Sequence, residues 1–236
     1  MASELVQVAV GALSVIDRGR VDGTEVRDVA PTAMLTALEP ALARTPDHLR
    51  WMEGKVGRYP FDTYGVLAAD QQFFYALETQ TLSLHPAFFL QAPVPPAAYE
   101  PIMVHELAHQ WFGDSVAPVR WQDVWLNEGH ADWYQREYDE QFFGVSLVDY
   151  MHDAYLRANQ LRHDFGPVAK PTGSDIFTLF SDNGTRAARS RCTPCARSWA
   201  IPRSARSSAA GSSATRTSRS ARRTSSPSRR TSRTAT

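Results

Sequence analysis

The chain has 236 residues, with 25 acidic and 25 basic side chains and a formal net charge of zero. That balance averages two unlike parts: residues 1–185 carry a net charge of −13, and the remaining 13 basic residues are all arginines between Arg186 and Arg233 with no acid among them. The length allows one sizeable core or two small domains, the lack of cysteine before Cys192 excludes a disulfide framework for the first 185 residues, and no apolar run approaches a membrane span.

Residues 4–16 and 21–29, rich in Val and Ile, read as β-strands joined by a turn around Arg18-Gly19-Arg20. The start, Met1-Ala2-Ser3-Glu4-Leu5, has no basic region followed by an apolar run, so no signal peptide and a reducing, cytoplasmic setting are expected. Residues 46–57 read as a helix ending at Gly57. Residues 64–69 and 73–84 read as two more strands. The Pro-rich stretch 93–101 is a loop, with Pro101 placed for the first turn of a helix. That helix runs from about 99 to 112 and stops at Gly113. A second helix begins after Asp123, which suits an N-cap, and continues to about Gln141. A third covers about 146–162.

The chemistry lies on the first two of those later helices. His105-Glu106-Leu107-Ala108-His109 is an H-E-x-x-H sequence. Spacing of i, i+4 puts both imidazoles on one helix face, one turn apart, where they can share an ion. Glu106 lies beside them, within reach of a water on that ion. Catalytic zinc usually takes three protein ligands and keeps one position open. Glu128, in Trp125-Leu126-Asn127-Glu128-Gly129, is the candidate third ligand, with 18 residues between it and His109. That length suits an antiparallel second helix after a short loop. The competing reading makes His105 and His109 ordinary helix residues and Glu128 a solvated acid. Gly129 inside the second helix costs about 1 kcal/mol relative to Ala, which close packing against the first helix would justify. One Zn2+ is the expected cofactor.

The segment Val104-His105-Glu106-Leu107-Ala108-His109-Gln110-Trp111-Phe112-Gly113, followed by Trp125-Leu126-Asn127-Glu128-Gly129, resembles the aminopeptidase N family of gluzincin metallopeptidases. Tyr59-Pro60-Phe61-Asp62 also matches a segment that the family carries upstream. The resemblance covers about residues 40–183. It implies an α+β fold: a thermolysin-like catalytic domain, with a mixed sheet packed beside helices and zinc between two of them. It also implies a preceding β-rich domain, of which residues 1–30 would be the end, and a catalytic core over residues 31–183.

Further residues follow from the same resemblance. The family has a Gly-x-Met-Glu-Asn motif whose Glu binds the substrate's free α-amino group. The matching residues here are Tyr75-Ala76-Leu77-Glu78-Thr79, so Glu78 takes that part although three positions depart from the pattern. A carboxylate near the zinc pairs with an ammonium and measures out one residue from the N-terminus. Asp132, one turn after Glu128, is placed to accept the second ring N–H of a zinc-bound histidine, His105 first. The family more often has a Glu seven residues after the ligand, where this chain has Gln135. His130, where many members have Phe, reads as a packing residue or one that supports a ligand, and not as a ligand itself. The implied reaction is zinc-assisted hydrolysis of peptides with a free N-terminus, with Glu106 as the base. A thermolysin-like endopeptidase is the alternative that would not need Glu78. The family also uses a downstream tyrosine to stabilise the oxyanion. None stands at the right distance, since the last tyrosine is Tyr155.

After Asn183 the character changes: 43 of the 51 residues from Arg186 to Thr236 are Arg, Ser, Thr or Ala. Such a segment cannot bury enough apolar surface to order itself. It reads as a nucleic-acid-binding arm on an inactive peptidase-like core, as an inert tail, or as an out-of-frame continuation of the gene. The third reading is preferred, and a nucleic-acid partner or a membrane is not expected. Restoring one T in the Gly184 codon yields a frame able to spell Val-Tyr followed by a Leu-rich helix. On that reading residues 184–236 are a disordered basic tail and the activity of the chain is impaired. Cys192-Thr193-Pro194-Cys195 lacks the second pair of a zinc ribbon and the βαβ setting of a redox motif.

Overall fold

Asp22 and Gly23 both take positive φ, 44° and 99°, and turn β1 (Leu13–Val21) back on β2 (Thr24–Pro31). A two-residue hairpin of this hand needs φ > 0 at both central positions, which Asp-Gly supplies at low steric cost. The turn expected at Arg18-Gly19-Arg20 is therefore absent. Gly19, at φ 79°, instead lies where the register shifts between Asp17 and Arg20, a bulge inside β1. This computed structural model describes residues 5–167 and Lys170. The Arg/Ser-rich segment, Cys192, Cys195 and the out-of-frame reading beyond Asn183 lie outside the described residues.

β2 pairs in parallel with β3 (Thr63–Tyr64) and with β4 (Val66–Ala69), and β4 pairs in parallel with β5 (Ser83–Pro86). The sheet is mixed, in the order β1-β2-β4-β5 with β3 beside β2. β1 and β2, which lie almost wholly within the residues 1–30 expected at the end of a preceding β-rich domain, hydrogen-bond into the same sheet as β4 and β5. Gly65 permits the close approach: a Cβ there would stand 1.5 Å from the Arg27 carbonyl oxygen. The strand expected over 73–84 forms only at its end. Before it, Leu77 makes an isolated antiparallel bridge to Leu84.

The described residues form five α-helices: α1 (Leu35–Leu42), α2 (Thr45–Val56) and α3 (Pro96–His109), which pack on the sheet, then α4 (Trp125–Phe143), which packs on α3, and α5 (Leu147–Phe165), which packs on α4. α1 has no counterpart in the sequence reading, because Pro40 sits inside it. α3 begins earlier than expected, so Pro101 falls inside the helix and not in its first turn. α3 runs between two apolar clusters. Val104, Leu107 and Ala108 face Leu49, Met52, Tyr64 and Tyr138, while Met103 and Tyr99 face Leu38, Leu42 and Leu90. The fold is α+β, a mixed sheet beside helices, as expected. Among the described residues no helix is long and apolar enough to cross a membrane.

Candidate metal centre

His109 is the last residue of α3 and His105 lies one turn before it. Apolar packing on both sides of α3 fixes the rotation of the helix, so the two rings emerge toward α4. Their Nε2 atoms stand 3.1 Å apart. Each Nδ1 is committed elsewhere: that of His105 lies 3.0 Å from Gln135 Oε1, and that of His109 3.2 Å from the Phe112 carbonyl oxygen. A carbonyl oxygen only accepts, so both Nδ1 atoms carry the hydrogen in the neutral rings and both Nε2 atoms keep a lone pair.

Glu128, in the first turn of α4 and buried, completes the set. Its Oε2 lies 3.5 Å from His105 Nε2 and its Oε1 3.8 Å from His109 Nε2. Two lone pairs facing each other across 3.1 Å repel, and either a proton on one Nε2 or a metal ion held between the two rings relieves that repulsion. Nitrogens bound at about 2.0–2.1 Å to one tetrahedral ion lie about 3.4 Å apart, close to the spacing seen. Two imidazoles and a carboxylate are a donor set that suits zinc. The ligand-capable atoms of His105, His109 and Glu128 all lie within 4.8 Å of one another.

The surroundings carry excess negative charge. Burial opposes a charge on His105, yet the adjoining Glu128 and the charges of Glu106 and Asp132 outweigh it and push the imidazole up to about 9. Burial holds the Glu106 carboxyl well above the usual range, against the opposing pull of His105. Asp114 is buried, and neither of its carboxylate oxygens finds a hydrogen bond among the described residues. Burial, with the charge of Glu78, pushes it up to about 8. Such a pocket favours whatever brings positive charge.

Each residue singled out in the sequence has a definite place. Glu106 is buried beside the cluster. Glu78 stands on the segment between β4 and β5, and its carboxylate, that of Glu106 and a His109 ring nitrogen lie within 4.8 Å of one another. Asp132 Oδ1 comes only to 3.8 Å from His105 Nδ1, and the hydrogen bond expected of it goes to Gln135. The reason is reach: Gln135 lies seven residues after Glu128, two turns along the same face, with a longer side chain. His130 stacks on Phe112, with ring centroids 4.3 Å apart, and its Nδ1 donates to the Leu126 carbonyl, so it packs and does not face the cluster. Tyr155 is exposed on α5.

Gln110 was passed over in the sequence. It is fully buried, and its amide joins three partners. Nε2 donates to the Glu78 carbonyl oxygen, 3.1 Å, while Oε1 accepts from Thr81 N, 2.8 Å, and from the Tyr59 hydroxyl, 3.0 Å. The available signal was a polar residue placed directly after a ligand at a helix end.

A family profile described as the peptidase family M1 domain matches residues 41–177, more than half of the chain. The chain is similar to aminopeptidase N of Streptomyces lividans, at 31% identity over 139 residues, which are 55% of this chain and 16% of that protein. It is also similar to the thyrotropin-releasing hormone-degrading ectoenzyme of Mus musculus, at 44% identity over 59 residues, 25% of this chain and 5% of that one. Among solved structures, a mutant M1 zinc metallopeptidase from Deinococcus radiodurans bound to a Tyr-Ser-Ala substrate superposes with a TM-score of 0.59 at 26% identity, covering 76% of this chain and 39% of that one. The chain therefore spans well under half the length of each of these relatives.

Proposed function

Since the chain belongs to peptidase family M1, we propose that it is the catalytic core of a zinc aminopeptidase that hydrolyses the first peptide bond of substrates with a free N-terminus. The observation that carries this reading is the juxtaposition of His105, His109 and Glu128 with Glu106 and Glu78, all drawn together by α3, α4 and the segment before β5. His105, His109 and Glu128 would hold one ion. Zinc there supplies a Lewis acid for the scissile carbonyl and for the attacking water.

The chain's own residues do the rest. Glu106 accepts the proton of the attacking water on a carboxylate oxygen and delivers it to the leaving amine. Its raised pKa suits a group that must hold that proton between the two transfers. Glu78 pairs with the substrate's α-ammonium, which places the first peptide bond, and no later one, at the cluster. Gln135 and the Phe112 carbonyl hold the two imidazoles in the tautomer that leaves Nε2 free. An endopeptidase would not need a carboxylate at Glu78, so the closeness of Glu78 to Glu106 favours the aminopeptidase.

The test is release of the N-terminal residue from a tripeptide such as Tyr-Ser-Ala, followed at high chain concentration with and without a chelator. The N-acetylated tripeptide serves as the comparison. Chelator-sensitive cleavage of the free peptide, and much slower cleavage of the blocked one, is the expected result. Equal cleavage of both would return the endopeptidase reading, and cleavage insensitive to chelation would remove the metal.

A further inference from the structure

We propose that Gln110 is a positioning residue that holds the Glu78 segment at a set distance from the metal cluster and thereby sets where the substrate's α-ammonium sits. The inference rests on the proposed role of Glu78 as the amine anchor.

The segment from 70 to 82 has little regular structure to fix it. Among the described residues it is tied to the sheet by the bridge in which Leu77 N donates to Leu84 O, 3.0 Å, and Leu84 N to Leu77 O, 2.8 Å, and to the residues before β1 by Gln80 N on the Leu5 carbonyl and Gln7 Nε2 on the Leu82 carbonyl. Glu78 is the next residue, at the free side of that bridge. Beyond it the chain turns through Thr81 at φ 67°, a conformation that a β-branched residue rarely adopts. Such a backbone persists only where the surroundings over-determine it. The turn is closed locally by Leu82 N donating to the Thr79 carbonyl, 3.0 Å, and by the Thr79 hydroxyl on the Leu82 carbonyl. Gln110 ties that turn to α3: its Oε1 accepts from the N–H of Thr81 and its Nε2 donates to the carbonyl of Glu78, so one side chain holds the stretch from Glu78 to Thr81 at both ends.

The origin of the clamp matters as much as its contacts. Gln110 follows His109 directly, so a single peptide bond links a candidate ligand to the group that holds the anchor. The Tyr59 hydroxyl donates to the same Oε1, which fixes the amide's orientation and leaves its N–H groups for Glu78. Tyr59 is itself buried within the apolar cluster beside α3. A shorter amide at position 110 would not span the gap, and a carboxylate would set an acceptor against the Glu78 carbonyl oxygen.

The test reads binding without turnover. The zinc-loaded full chain carrying Glu106→Gln is titrated calorimetrically with Tyr-Ser-Ala and with its N-acetylated form. The expected preference for the free amine is about tenfold to a hundredfold, as for one charge-assisted hydrogen bond. Adding Gln110→Met, similar in length but unable to make these bonds, is expected to bring the preference close to one. It should do so by weakening the free peptide alone, with zinc content unchanged. Gln110→Glu keeps the two accepted bonds and loses the donated one, so it should retain part of the preference, and it serves if the Met variant does not fold. A full preference in both variants, or an equal loss for both peptides, would overturn the proposal. Glu78→Ala separates the two levels. If it too leaves the preference intact, the amine-anchor reading fails and this inference falls with it; if it alone abolishes the preference, only the role of Gln110 is wrong.

Discussion

The amide oxygen of Gln135 stands 3.0 Å from Nδ1 of His105, nearer than Asp132 Oδ1 at 3.8 Å. Nδ1 of the first histidine thus meets a neutral amide two turns beyond Glu128 more closely than the carboxylate one turn beyond it, which remains in ion-pair range. Partners of this kind typically change metal affinity by about 10–100-fold. Gln135→Leu is expected to weaken zinc binding within that range in a chelator competition. Gln135→Glu should preserve or strengthen it, because a carboxylate makes the imidazole a better donor. A larger loss from Asp132→Asn than from Gln135→Leu would reverse the assignment.

The three ligand candidates and the base separate cleanly by metal analysis. His105→Ala, His109→Ala and Glu128→Ala should each lower zinc well below one ion per chain. Glu106→Gln should keep the metal and lose hydrolysis, since its carboxylate is asked to move a proton and not to bind. Unchanged zinc in all three ligand variants would sink the metal centre.

His85, on β5, is completely buried, and neither ring nitrogen has a hydrogen-bond partner among the described residues. Burial, reinforced by His48 and His105, pushes its imidazole down to about 3. The folded pKa lies below the ordinary value near 6.5, so the native state binds the neutral ring and the unfolded state takes the proton first. Its contribution is present above about pH 6.5 and is lost as pH falls toward 3, with a limiting slope of about 1.4 kcal/mol per pH unit. His85→Leu removes the titration. The urea midpoint of the variant, minus that of the parent, should grow steadily from pH 7 to pH 4. A constant difference would show that His85 does not titrate in this way.

Two glycines should respond oppositely to the same substitution. At Gly65 a Cβ would meet the Arg27 carbonyl at 1.5 Å, so β2 and β4 would have to part. Gly65→Ala is expected to cost more than about 4 kcal/mol, beyond the range of ordinary single changes. At Gly54, inside α2, a Cβ meets nothing within 4 Å. Gly54→Ala should stabilise by about 0.5–1 kcal/mol through helix propensity and reduced chain entropy. Thermal unfolding of the two variants checks both.

The parts of this molecule that were legible in the sequence are those with local determinants. The H-E-x-x-H spacing depends only on helical periodicity, and α2, α4 and α5 were placed within about four residues at either end by periodicity and stop signals. The hairpin is legible in the sequence but its turn is ambiguous there, because Gly19 competes with Asp22-Gly23, the stronger signal. α1 was missed because Pro40 argues locally against a helix, and burial of Leu38, Ala41 and Leu42 overrides it. The strand assigned to 73–84 failed for the opposite reason. Its apolar and aromatic residues suit a strand, but Phe74 and Tyr75 are exposed and the segment is held by side-chain bonds from α3. The burial of Asp114 and the short contact between His105 and Gln135 lie beyond reach of any window of sequence, since each depends on what a neighbouring element brings.

His109 ends α3 and Glu128 begins α4, and between them the chain passes through a surface loop with Val116, Val119 and Trp121 exposed. An ion shared by those two residues is a removable cross-link that closes this loop. With the ion in place, the ends of the loop are pinned and its opening must work against the metal bonds. Without it, the loop gains freedom while the helices on either side stay packed. The loop then becomes the natural place for a protease to cut, and the cut falls between the two halves of the centre. Bound zinc would in that way also slow the cutting of the chain between the two halves of its own centre.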